Sequence, residues 1–156
     1  MAYDLSICIP GYRTHCWKEL YDSLKPSVGD NYSFELIFVG PYELPEEMKG
    51  LQDIKFIQDF GSPTRCLQIA TVHCEGELVT YASDDGIAVV DALNKSINLY
   101  RESCRRTDGV ITKYSEGYGR PAHTDTHASD EYWTPAFHIS LQSVLGINPS
   151  FYWGQW

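Results

Sequence analysis

The stretch GELVTYASDDG, residues 76–86, decides how the rest of the chain is read. ELVTYA (77–82) is short, apolar and rich in β-formers, the pattern of a strand buried on both faces. It leads through Ser83 into Asp84 and Asp85, and Gly86 follows. Adjacent carboxylates repel each other, so a strand end that carries them needs water or a cation to offset the repulsion. Oxygen ligands of this kind suit the hard divalent ions magnesium, manganese and calcium. A solvated turn, with Asp85 capping a helix that opens at Ile87, accounts for the same residues without an ion.

Outward from this stretch, strands and helices alternate. LSICIP (5–10), FELIFV (34–39), IKFI (54–57) and GVITKY (109–114) read as further strands. Between the first two, Trp17, Leu20 and Leu24 recur at helical spacing, with Thr14 as the expected N-cap and Pro26 closing the helix. The segment 61–76 is punctuated as a helix. Ser62 caps it, Pro63 suits its first position, and Gly76 is expected to end it in a left-handed conformation. Ile87, Val90, Leu93, Ile97 and Tyr100 repeat at helical spacing after the Asp pair. AFHIS (136–140) reads as a last strand and SLQSVLG as a short helix. This order predicts one α/β domain over 1–156, a mainly parallel sheet flanked by helices in a Rossmann-like arrangement. Ligands of such sheets bind beyond the carboxyl ends of the strands. Function is therefore expected at 10–13, 40–43, 60–65 and 83–86.

Composition narrows the ligand. Apolar residues make up 43% and charged residues 21%, the balance of an ordinary globular domain. The formal net charge of -9 argues against nucleic acid or an anionic membrane as partner. An anionic ligand then needs a local device, and three stand at strand ends. Arg65, in the first turn of the helix after Ser62, adds a fork of donors to the free N–H groups of a helix N-terminus, a site for a diphosphate. Tyr12, after Pro10-Gly11, offers an aromatic face to a nucleobase or covers the sheet edge. The Asp pair offers a place for a cation.

The five cysteines (Cys8, Cys16, Cys66, Cys74, Cys104) are odd in number and lack CxxC spacing, which favours free thiols and a cytoplasmic setting. No signal peptide is evident, and no apolar stretch is long enough to span a bilayer. Residues 116–135 lack periodicity and are expected to form a mobile loop. Its HTDTH run (123–127) is poor helix material without a third ligand, so it is read as an acceptor or lid loop rather than a zinc site.

Taken in order, LSICIPGY, FELIFV, SPTRCLQIA and GELVTYASDDG resemble glycosyltransferase family 2 with its GT-A fold, over roughly residues 4–150. The resemblance implies transfer of a sugar from a nucleoside-diphosphate sugar, UDP-linked by family default, with inversion and with Mn2+ or Mg2+ on the diphosphate. It implies that Pro10 and Tyr12 form the base-binding turn and that Arg65 contacts the diphosphate or base region. Asp84 would meet the ribose or diphosphate side, and Asp85 would ligate the metal. Two features depart from the pattern. Gly40-Pro41-Tyr42 stands where the family carries an acidic residue after the second strand. The family's catalytic carboxylate lies after a segment like SVLGINPSFYW, and this sequence ends first, so a C-terminal truncation is expected. Asp130 and Glu131 are the only candidate bases nearby, and they precede the AFHIS strand. Two competing functions remain. One is a non-catalytic nucleotide- or sugar-binding module. The other is a nucleotidyltransferase, which would need a glycine-rich loop where GYRTHC stands.

Overall fold

The computed structural model describes residues 2–102 in full, together with the backbone of Ser103 and of the strands at 109–115 and 133–140. In chain order the elements are β1 (Tyr3–Pro10), α1 (Trp17–Val28), β2 (Phe34–Gly40), β3 (Ile54–Gln58), α2 (Pro63–Val72), β4 (Gly76–Tyr81), α3 (Ala92–Ser103), β5 (Gly109–Ser115) and β6 (Trp133–Ser140). They form one six-stranded sheet of order β3-β2-β1-β4-β6-β5. β1 to β4 pair in parallel. β6 is antiparallel to both β4 and β5, so it alone runs against the rest. The expected α/β sheet, mainly parallel and covered by helices, is the observed one.

The strands read as unbroken apolar runs because both faces of the sheet are covered. Alternation along β1 and β2 sorts their side chains. Leu5, Ile7, Ile9, Leu36 and Phe38 join Trp17, Leu20 and Leu24 of α1 and Ile97 and Tyr100 of α3 in one cluster. Cys8, Ile37 and Val39 lie in the opposite cluster, with Cys66 and Ala70 of α2. The same period of two carries Glu35 into the α2 side, where its buried carboxylate accepts from Ser6 Oγ at 2.5 Å and the Glu75 N–H at 2.6 Å. Lys55 Nζ lies 2.9 Å from it and balances the charge.

Several local expectations differ from the structure. Thr14 does not cap α1. It begins a 3-10 turn, Thr14–Cys16, and α1 follows from Trp17 without a side-chain cap. Pro26 lies inside the last turn of α1, which ends at Gly29 with φ 73°. Gly76 does not end α2; it opens β4, because a Cβ there would stand 2.6 Å from the Ser6 backbone nitrogen. α3 begins at Ala92, after Asp91 at φ 65°, so Ile87 and Val90 are exposed rather than part of its buried face. β6 starts three residues ahead of AFHIS, at Trp133. The rest of the 116–135 loop, the HTDTH run, Asp130, Glu131, the SLQSVLG helix after Ser140 and Cys104 lie outside the described residues. Among the described residues no helix is long and apolar enough to cross a membrane, and Cys8, Cys16, Cys66 and Cys74 are free.

Candidate functional site at the carboxyl ends of the strands

Parallel pairing of β1 with β2 and β4 brings three strand ends together. The turn after β1 is seated by glycine: a Cβ on Gly40 would lie 1.9 Å from the Gly11 carbonyl oxygen, and the Gly11 N–H donates to Val39 O at 2.8 Å. No side chain can project at Gly40 without moving that turn. The β2 end is also tied to β3, since Gln58 Nε2 donates to Pro41 O at 3.2 Å and the Asp59 N–H to Gly40 O at 3.0 Å.

Asp84, just past β4, is the hub. Its side chain is 2% exposed. Oδ2 accepts the backbone N–H groups of Tyr12 at 2.6 Å and Arg13 at 2.5 Å, with Trp17 Nε1 at 3.5 Å. Oδ1 accepts Arg13 Nε at 2.8 Å, and Arg13 Nη2 stands 2.7 Å away. Burial pushes this carboxyl up, but the N–H groups of Arg13 and Tyr12 and the Arg13 guanidinium outweigh burial and hold it below its ordinary 3.8. An anion buried this deeply is tolerated because donors converge on it. In this geometry Asp84 fixes the turn that carries Tyr12.

Asp85 is different. Its side chain is 42% exposed, Ser83 Oγ donates to Oδ1, and Arg13 Nη1 stands 2.6 Å from Oδ2. Both carboxylates therefore share one guanidinium, whose pKa the Asp84 hydrogen bond raises further. Sequence reasoning placed Arg13 in the functional stretch 10–13 but gave it no role. The available signal was an arginine directly after a candidate base-stacking tyrosine in a chain of net charge -9.

Tyr12 and Arg65 are brought together through one loop. Tyr12 Oη donates to Gly61 O at 2.7 Å and lies 3.6 Å from Cys66 Sγ. Burial, then Cys66, pushes this phenol up to about 12. α2 begins as expected: Ser62 Oγ accepts the Arg65 N–H at 3.3 Å, with Pro63 in the first turn. Arg65 turns its Nε to Asp59, at 3.0 and 3.1 Å from the two carboxylate oxygens, while the Gly61 N–H donates to Asp59 Oδ1 at 2.8 Å. Asp59 was missed by the sequence reading. Pro10 ends β1, directly ahead of the turn.

Among the described residues no three His, Cys, Asp or Glu side chains converge as a self-sufficient metal cage. The donor set nevertheless fits a hard cation shared with a ligand. Magnesium and manganese commonly take one or two carboxylates and complete their shell with phosphate oxygens and water. Asp85, half exposed beside Ser83, is a carboxylate of that kind.

No family model and no curated protein matches the chain. Solved structures do. S. aureus TarS 1-349 in complex with UDP-GlcNAc superposes with a TM-score of 0.59 at 21% identity, over 76% of this chain and 36% of that one. The fold is GT-A-like. The mannosyltransferase PcManGT from Pyrobaculum calidifontis, in complex with GDP-Man and Mn2+, gives 0.53 at 13% identity over 70% of this chain and 35% of that one. A 4-diphosphocytidyl-2C-methyl-D-erythritol synthase from Anaerococcus prevotii gives 0.59 at 12% identity, over 97% of this chain and 75% of that one. At these identities the likeness speaks for the fold. The chain spans little more than a third of the TarS and PcManGT chains it matches. Within a GT-A-like frame, the turn after β1, the start of α2 and the Asp84-Asp85 pair line one edge of the sheet.

Proposed function

We propose that this chain is the donor-binding part of a glycosyltransferase that moves a sugar from a nucleoside-diphosphate sugar, with inversion and with Mn2+ or Mg2+ on the diphosphate. The observation that carries the reading is the joint placement of Tyr12, Arg13, Asp84 and Asp85 where β1 and β4 end, in a GT-A-like sheet. Three solved structures of similar fold bear UDP, UDP-GlcNAc or GDP-Man.

Each residue has a task in this reading. Pro10 and Gly11 aim the turn, and Tyr12 offers its ring to the base. Arg65 and the N–H groups at the start of α2 receive the diphosphate, for which Arg65 must loosen its hold on Asp59. Asp84 keeps the turn in place beside the ribose. Asp85 would hold the divalent ion, which when bound would supply Lewis-acid stabilisation of the departing nucleoside diphosphate. The acidic residue expected after β2 is replaced by Gly40-Pro41, so the base is read through Tyr12 and backbone groups. Nucleotidyl transfer shares the fold, but the turn Gly11–Cys16 is not glycine-rich and Trp17 fills the space beside Gly11.

Tyr12→Ala is expected to weaken nucleoside diphosphate binding by about 1–3 kcal/mol, the scale of one aromatic–base stack. Tyr12→Phe keeps the ring, loses the bond to Gly61 O and should lower stability by about 0.5–1.5 kcal/mol with little effect on binding. Equal binding by wild type and Tyr12→Ala, measured by calorimetry, removes the stacking role. The reading as a whole is tested by following binding of, and nucleoside diphosphate release from, a panel of UDP-, GDP- and other nucleotide sugars with Mn2+. Binding of one class of donor with Mn2+ is the expected result, with little or no release by this chain alone. Ready release by this chain alone would place the catalytic carboxylate within it, and the absence of binding for every donor contradicts the proposal.

A further inference from the structure

Two adjacent carboxylates at a strand end carry two negative charges, and Arg13 supplies one positive charge to both. Its three nitrogens are all engaged: Nε and Nη2 on Asp84 Oδ1 at 2.8 and 2.7 Å, and Nη1 on Asp85 Oδ2 at 2.6 Å. The two ends of this bridge are unequal. Asp84 is 2% exposed and also receives two backbone N–H groups, so it cannot turn away without orphaning them. Asp85 is 42% exposed and is otherwise held by Ser83. The Arg13 side chain is 49% exposed, so its tip has room to leave Asp85 while Nε stays on Asp84.

We infer that Arg13 is a resident counter-ion for Asp85, holding the carboxylate oxygen that a divalent cation takes over when a nucleoside diphosphate enters. The inference rests on the reading of Asp85 as the metal-binding residue. Its consequence is an order of binding. Without nucleotide, a cation meets one carboxylate already neutralised by the guanidinium. With nucleotide, the diphosphate adds oxygen ligands for the cation and a new anionic partner for the displaced guanidinium. Metal and nucleotide therefore bind together, and free metal binds poorly. Before nucleotide enters, Arg13 acts through Asp85, and it needs no contact with the sugar.

The test is Mn2+ binding, followed by calorimetry and by the electron spin resonance signal of free Mn2+, for wild type, Arg13→Gln and Arg13→Lys, each with and without UDP. Circular dichroism establishes that each variant is folded. Without UDP, Arg13→Gln should bind Mn2+ roughly 1.5- to fivefold tighter than wild type, the range of a half-exposed ion pair, with Arg13→Lys between. The enhancement of Mn2+ affinity by UDP should shrink in the same order. A merely structural role predicts the opposite sign, since loss of the bridge would loosen Asp85 and weaken the metal. Unchanged or weaker Mn2+ binding by Arg13→Gln, with UDP and Mn2+ still binding together to wild type, overturns the inference and leaves the proposed function standing. No binding of UDP by wild type under any condition overturns both.

Discussion

Asp84→Ala is expected to destabilise the chain by about 3 kcal/mol or more, the cost of removing one partner from a buried, charged hydrogen-bond cluster. The substitution orphans the Tyr12 and Arg13 N–H groups and opens a void beside Trp17, whose ring stacks on Phe38 at 4.3 Å. Water can reach the Arg13 guanidinium, so that half of the cluster contributes less. Asp84→Asn should cost less, because one amide oxygen can still accept the two backbone N–H groups while the NH2 faces the guanidinium. The effect also has a pH signature. The folded carboxyl is held below its ordinary 3.8, so its stabilisation is present above that value and is lost as pH falls through the lower folded value. Urea unfolding of wild type and Asp84→Ala should therefore diverge at neutral pH and converge in acid. A loss under 1 kcal/mol at neutral pH would mean that the turn holds itself without Asp84.

Asp85→Asn should leave the fold almost intact and remove metal-dependent nucleotide binding. The side chain is half exposed and its partners are Arg13 and Ser83, so little buried structure depends on it. An amide oxygen is a neutral and weaker ligand for a hard cation than a carboxylate. Changes to outer-shell partners of metal ligands already cost about 10–100-fold, and loss of a ligand's charge should cost about 100-fold or more in nucleotide affinity with Mn2+ present. The contrast is the useful part. Asp84 variants should fail in stability, Asp85 variants in binding, although the two residues are neighbours. Asp85→Asn that binds UDP and Mn2+ as wild type does would remove it from the site.

Much of this was legible in the sequence because it is local. Continuous apolar runs identified β1 to β4 since the sheet is covered on both sides. Ser62-Pro63 announced α2, and the capping bond is there. What was missed depends on distant contacts. Gly76 looks like a helix stop, but its reason is the close approach of Ser6, seventy positions away. Ile87 and Val90 continue the period of α3 by coincidence, and the chain reaches α3 only after the turn at Asp91. Nothing in the sequence foretells that Asp84 and Asp85 differ in burial. Only the arrival of the β1 turn, 71 and 72 residues earlier in the chain, buries one and leaves the other half exposed. Arg13 was given no role for the same reason: its two acidic partners stand 71 and 72 positions further along the chain.

Calorimetry of the wild-type chain with UDP, once with Mn2+ and once with excess chelator, separates a metal-binding Asp85 from a purely structural one. Measurable binding with Mn2+ should weaken at least about tenfold in chelator, since Asp85 would hold the cation that offsets the diphosphate charge. Equal affinity in the two conditions would contradict that expectation, and would give Asp85 back to Arg13 as a structural partner alone.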